Sequence, residues 1–322
     1  MQMPPRNPAA MLSQRSFRPL RQIASYVDIT WGFIESDMFT FAIPNTAFGI
    51  FGAFASLLLV DNDVSSLGPS AIEILSRLPY VLAFNVGNLL IFDLANQRGP
   101  QSIEEDRINK PWRPIPQGKI TADQTRRFML ASIPVVLALS YAVGAWQQCV
   151  LISILSWMYN DLGGGDEAVV REVIISIAYG LFNSGSLLAA VGPGSSLNNL
   201  GLGWTSIVSG VILTTMQVQD LKDQEGDKLR NRKTIALCFG ERFSRTWIAF
   251  FVCFWSWVCG NFWNAGPVVF GLNAALAVVI AARVLFLSTK KADARTWRMW
   301  CFWHASLYTL PLVVAGAAPW RL

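Results

Sequence analysis

Asp220, Asp223 and Asp227 stand in the stretch QVQDLKDQEGDKLRNRKT, directly after the apolar run GLGWTSIVSGVILTTM. On a helix their side chains fall within about 60° of one another, while Glu225 points to the other side. Like charges this close repel, and they are costly at the edge of an apolar phase unless a cation lies between them. Oxygen donors without His or Cys suit Mg2+, which takes one or two carboxylates and completes its shell with water and substrate phosphates. A second polar cluster, DLANQRGPQSIEEDRINKPWRP, also follows an apolar run. Asp93, Asn96 and Gln97 share a helical face there, and Glu104, Glu105 and Asp106 come next. Lys110, Arg113, Arg232 and Lys233 flank the clusters and are suited to phosphate oxygens, Arg through a bidentate fork and Lys as a point charge. One acidic helix end could be merely solvated. Two such clusters beside apolar runs fit an allylic diphosphate whose hydrocarbon tail lies among the helices, with Mg2+ stabilising the leaving group.

The elements that must position these residues are membrane spans. Of 322 residues 52% are hydrophobic and only 15% charged, and the mean hydropathy is +0.37, outside the usual range of a soluble domain. A spanning helix needs about 20 mostly apolar residues. Nine stretches approach that, near 40–60, 77–95, 128–145, 147–159, 172–192, 199–218, 246–264, 267–288 and 299–317; the fourth is short and is the weakest. Lys and Arg gather in the N-terminal segment and in the connections after the second, sixth and eighth stretches, whereas DNDVSSLGPS, WQQC, GPGSSLNN and NAGP have none. That parity puts the N-terminus and the two long polar loops, 96–127 and 219–245, on the cytoplasmic side. Residues 1–30 lack a secretory signal's apolar core and read as a basic cytoplasmic tail, with 31–322 as one transmembrane domain. Cys149, Cys238, Cys253, Cys259 and Cys301 are scattered without a C-x-x-C pair, against a disulfide framework or zinc site. The single histidine, His304, lies inside the last stretch and reads as packing. The stretches carry few charges away from their cytoplasmic ends, against a transporter's path. The expected partners are the isoprenyl diphosphate and the bilayer; no nucleic-acid or protein partner is expected.

The segments NQRGPQSIEEDRINKPWRPIPQGKI and QDLKDQEGDKLRNRKTIALCFG, each at the end of an even-numbered stretch, resemble the two motifs of the UbiA superfamily of intramembrane prenyltransferases. The resemblance covers nearly the whole chain in segment order. It implies an all-α bundle of nine spanning helices around a central cavity with a polar cytoplasmic cap. The second motif, D-x-x-x-D or a close variant, is Asp220, Asp223 and Asp227. The first, N-x-x-x-D-x-x-x-D, is irregular: Asn96 matches its leading Asn and Asp106 resembles its last Asp, but two residues too late. Pro100 takes the middle position, and Glu104 or Glu105 supplies the missing carboxylate. This departure resembles the fungal branch that includes membrane-bound terpene cyclases, as does WMYNDLGGGDE, where Tyr159, Asn160 and Asp161 read as part of the cap or as a turn.

By this resemblance Asn96, Asp106, Asp220 and Asp223 are catalytic. Asn96, Glu105, Asp106, Asp220, Asp223 and Asp227 hold Mg2+, and Lys110, Arg113, Arg232 and Lys233 bind diphosphate. Farnesyl or geranylgeranyl diphosphate would ionise and cyclise, with Tyr179, Phe182 and Trp204 as aromatics to face the cation. The alternative is prenyl transfer to an aromatic or other small acceptor, which uses the same ionisation machinery. The implied membrane is the endoplasmic reticulum.

Overall fold

The computed structural model describes residues 18–61 and 68–317, and among these there is no strand, only an isolated bridge between Val60 and Leu197. Helix α1 (Arg18–Asp37) runs through one π-helical turn, Met38–Ala42, into α2 (Ile43–Phe54) and the short α3 (Ser56–Leu59). There follow α4 (Ala71–Ser76), α5 (Leu78–Gln97), α6 (Pro100–Asn109), α7 (Ala122–Ala142), α8 (Trp146–Asn160) and α9 (Ala168–Val191). The second half has α10 (Asn199–Thr215), a 3-10 segment (Met216–Lys222), α11 (Gln224–Leu229), α12 (Ile235–Phe239), α13 (Glu241–Phe262), α14 (Pro267–Phe286), α15 (Lys290–Leu307) and α16 (Leu310–Ala317).

Helix α9 is the axis of the bundle and packs on α2, α5, α8 and α10. Its segment NSGSLLAA is made of small residues and leucines, all buried, which lets neighbouring backbones approach closely where apolar burial alone gives no drive in lipid. At Gly49 of α2 a Cβ would come 2.6 Å from the Ser186 carbonyl, so only glycine permits that crossing. Beside it Asn85 of α5 donates to Ser186 Oγ at 2.8 Å and to Thr46 Oγ1 at 3.0 Å, tying three helices by polar bonds with no water to compete. In the second half Arg245 at the start of α13 donates to Asp293 of α15 at 2.8 and 3.0 Å, and to the Val284 carbonyl of α14 at 2.8 Å.

All nine apolar stretches fall on helix, with two interruptions. The first is broken at Ala55, and the last at Tyr308 and Thr309 between α15 and α16. Among the described residues four helical stretches are long and apolar enough to cross a membrane by length and composition alone: Ala71–Gln97, Ala168–Val191, Asn199–Lys222 and Pro267–Phe286. The 15-residue α8 falls short in length, while α13 and α15 begin with charged residues. Residues 1–17 of the expected tail lie outside the described residues, and α1 begins at Arg18, inside that expected tail.

Candidate active site

At the end of the bundle where α5 runs into α6 and α10 runs into α11, the two polar loops meet. Arg230 reaches from the second loop to Ser102 Oγ at 2.9 Å and Glu105 at 3.1 Å on α6, and Gly226 lies against the Asn109 side chain, where any Cβ would collide. Beneath this junction is a cavity with about 1150 Å3 of empty space, counted to its open mouth. Its deeper wall is apolar and aromatic, built from Phe41, Leu89, Phe92, Ile174, Tyr179 and Phe182, among others. Phe41 stands edge-on to both Tyr179 and Phe182 with ring centroids 4.6 Å apart. Phe41 lies within the π turn, an irregularity that occurs often at functional sites.

The mouth end of the cavity is charged. Among the described residues seven carboxylates line the cavity, Asp37, Glu105, Asp106, Asp220, Asp223 and Asp227 toward the mouth and Asp93 one helical turn deeper, against four cations, Lys110, Arg113, Arg171 and Arg232. This anionic surplus is the feature that would attract a metal cation.

The three aspartates of the second motif all line the cavity, although they do not share one continuous helix. The chain tightens to 3-10 after Thr215 and breaks at Asp223 before α11 begins. Asp220 is 2% exposed and takes a bidentate bond from Arg171 of α9, at 2.7 and 2.8 Å. The same guanidinium donates to Glu172 at 2.7 Å and to the Tyr159 hydroxyl at 3.3 Å. Asp223 pairs with its neighbour Lys222. Asp227 accepts from Arg232 at 3.0 Å through Oδ1, while its buried Oδ2 has no partner. Burial, reinforced by the nearby Asp220, pushes the Asp227 carboxyl up to about 7.

From the first motif Asn96, Glu105 and Asp106 line the cavity. Glu105 faces Arg230 and Arg232, whereas Glu104 is on the solvent side, paired with Arg107 at 2.7 Å. The two-residue lengthening is absorbed between α5 and α6, where Gly99 is the N-cap and Pro100 the first residue of a new helix, a position where the missing N–H costs nothing. Asp106 accepts both bonds of Arg113 at 2.9 Å, and Arg113 lies 3.7 Å from Asp37. Burial raises the Asp106 carboxyl and lowers the Lys110 ammonium, so both groups gain by acquiring an opposite charge.

Not every expected residue is brought in. Lys233 does not line the cavity: its ammonium lies at the surface on Glu167, at 2.8 Å, and its N–H binds the Asp166 carbonyl. Tyr159 lines the cavity, but Asn160 stands behind it, accepting from Asn96 at 3.0 Å, and Asp161 pairs with Arg98. Gly165 permits the loop to close over Tyr159, since a Cβ would come 2.5 Å from the ring. Tyr179 and Phe182 face the cavity, whereas Trp204 packs against Phe262 and Trp263 away from it. His304 stacks on Trp300 and contacts the Tyr308 hydroxyl at 3.0 Å, outside the lining.

Arg171, Asp37 and Phe41 belong to the lining but to neither motif. The one signal for Arg171 was its position, with Glu172, at the start of a long apolar segment, where ionisable residues mark functional sites. No three His, Cys, Asp or Glu side chains among the described residues come together as a ready-made metal cage. The donor set nevertheless fits Mg2+ arriving with a diphosphate: it is all oxygen, in anionic surplus, and leaves Asp227 Oδ2 unpartnered.

Residues 51–307 match the UbiA prenyltransferase family. The chain is 28% identical to the diterpene cyclase eriG of Hericium erinaceus, over 87% of this chain and 86% of that one. It is 26% identical to the polyprenyl transferase eriF of the same organism, over 87% and 92%. The fold matches a UbiA homolog from Archaeoglobus fulgidus, solved bound to GPP and Mg2+, with a TM-score of 0.56 at 11% identity, over 87% and 99% of the two chains.

Proposed function

Because the chain belongs to the UbiA prenyltransferase family, we propose that it ionises farnesyl or geranylgeranyl diphosphate and closes the allylic cation on its own prenyl chain, releasing diphosphate and a terpene hydrocarbon. The observation that carries this reading is a single cavity with a carboxylate-rich mouth and an aromatic interior. It matches a substrate with an anionic head and an apolar tail.

In this reading Asn96, Glu105, Asp106, Asp220, Asp223 and Asp227 would hold Mg2+, which would supply positive charge to neutralise the departing diphosphate. Lys110, Arg113 and Arg232 bind the remaining phosphate oxygens, while Arg171 holds Asp220 in place. The allylic C–O bond breaks, its electron pair leaves with diphosphate, and a distal double bond of the same chain attacks the cation. Phe41, Tyr179 and Phe182 present ring faces and edges around that space, where a cation over a ring face gains about 0.5 to 2 kcal/mol. The surrounding aliphatic wall excludes water, which would otherwise quench the cation. The charged mouth opens to the cytoplasm, and the bilayer, of the endoplasmic reticulum in this reading, surrounds the bundle.

Cyclisation is favoured by the irregular first motif and by the likeness to a diterpene cyclase over most of both chains. Transfer to an aromatic or other small acceptor is the second reading, favoured by the likeness to a polyprenyl transferase. The metal site is tested with Asp220→Ala and Asp223→Ala. Each is expected to lower turnover at least about a hundredfold while the protein stays in the membrane. Near-normal activity of either variant with Mg2+ present would show the site to be misassigned.

A further inference from the structure

Seven carboxylates line the cavity. Six of them are paired among the described residues: Asp37 and Asp106 with Arg113, Glu105 and Asp227 with Arg232, Asp220 with Arg171, and Asp223 with Lys222. Asp93 makes no ion pair with any described residue. It is 2% exposed, and its Oδ2 is buried without a hydrogen-bond partner. An unpaired buried carboxylate carries a desolvation cost that an amide or a leucine would avoid. Such a residue inside a membrane bundle marks a functional position.

Its place in the fold suggests which function. Helix α5 runs toward the mouth, so Asp93 lies one turn before Asn96 and about 4.5 Å deeper along the axis. It shares the wall there with Leu89 and Phe92 of the same helix. The carboxylates nearer the mouth are those that would hold Mg2+ in the proposed metal site. Asp93 borders the part of the cavity that the hydrocarbon would occupy.

We propose that Asp93 is the base that ends the cyclisation, an inference that rests on the cyclase reading above. A cyclised cation becomes a hydrocarbon by losing a proton. The C–H bond beside the last cationic carbon breaks, its electron pair forms the new C=C bond, and the proton passes to Asp93 Oδ2. After the product leaves, that proton returns to water through the open mouth. Carbocations are strong acids, so the position of the acceptor, rather than its basicity, decides which hydrogen is lost. Asp93 thereby also determines the double-bond position in the product.

The test uses the full-length protein in membranes with Mg2+ and farnesyl or geranylgeranyl diphosphate, without acceptor. Diphosphate release and the hydrocarbon spectrum are measured in parallel. With Asp93→Asn, which keeps shape and removes the base, the main hydrocarbon formed per diphosphate released should fall at least about tenfold. Isomeric alkenes or alcohols should replace it. Asp93→Glu should restore part of the original product. Should Asp93→Asn fail to accumulate, Asp93→Ser is measured by the same ratio. An unchanged ratio overturns the assignment, whether both quantities persist or fall together, because it makes Asp93 a structural or ionisation residue. A wild-type protein that releases diphosphate but makes no hydrocarbon overturns the cyclase reading itself, and is distinguishable from an Asp93→Asn variant whose hydrocarbon spectrum is simply unchanged.

Discussion

Replacing Arg171 by Met keeps the length of the side chain and removes its charge. In the native protein the guanidinium makes two bonds to Asp220, at 2.7 and 2.8 Å, and one to Glu172 at 2.7 Å, with all three residues buried. The substitution would leave two carboxylates close together without a counter-charge. Breaking one side of a buried pair costs about 3 to 5 kcal/mol, or a fall in Tm of roughly 6 to 10 °C at about 2 °C per kcal/mol for a chain of this size. Thermal unfolding of the detergent-solubilised protein measures it. The second substitution Asp220→Asn, added to Arg171→Met, should recover roughly half of the loss, because one of the stranded charges is gone. Mg2+ with diphosphate should stabilise Arg171→Met more than the wild type, since the metal would then supply the missing charge. A single-variant Tm within about 2 °C of wild type would refute the view that Arg171 is the counter-ion holding Asp220 in place.

Glu105→Gln should lower turnover at least about tenfold and Glu104→Gln leave it within about twofold, because only Glu105 lines the cavity; equal effects would remove Glu105 from the metal site. Lys233→Ala should leave the KM for the diphosphate substrate within about twofold, its partner Glu167 being a surface group. A tenfold rise would show that Lys233 swings into the mouth. Asp227 titrates at about 7 because of burial, then Asp220, and Mg2+ needs its ionised form. The Mg2+ concentration for half-maximal activity should therefore rise as pH falls below about 7, by up to roughly tenfold per pH unit. Metal-free stability runs the opposite way. With the folded pKa above the ordinary carboxylate value, Asp227's contribution is complete below that ordinary value and is lost as pH rises through about 7. A Mg2+ requirement that stays flat between about pH 6 and 8 would contradict this assignment.

Much of the site was legible because it is local in sequence. The second-motif aspartates and Arg232 lie on one short stretch, 220–232, and Asn96, Glu105, Asp106, Lys110 and Arg113 lie on one connection, so residue type and spacing sufficed. Residue spacing left Glu104 and Glu105 equivalent; the turn of α6 separates them, one toward the cavity and one toward Arg107. Arg171 was illegible for the opposite reason. Its partner Asp220 is 49 residues away, and only the packing of α9 beside α10 joins them. Lys233 has a phosphate ligand's chemistry, but its N–H bond to the Asp166 carbonyl holds that stretch at the surface. The expected single face of Asp220, Asp223 and Asp227 assumed a continuous α-helix, whereas the 3-10 segment and the break at Asp223 re-aim them. All three still reach the cavity. In the fold, apolar content located the helices, and the interruptions at Ala55 and at Tyr308 and Thr309 were not visible in hydropathy because the residues there are themselves mostly apolar.

The most direct measurement is an incubation of membranes containing the protein with Mg2+ and farnesyl or geranylgeranyl diphosphate, without acceptor, followed by gas chromatography and mass spectrometry of a hexane extract. A new cyclic hydrocarbon that disappears with EDTA is the expected result. No hydrocarbon, together with a prenylated product once phenolic acceptors are added, would contradict cyclisation and assign intermolecular transfer to the same ionising site.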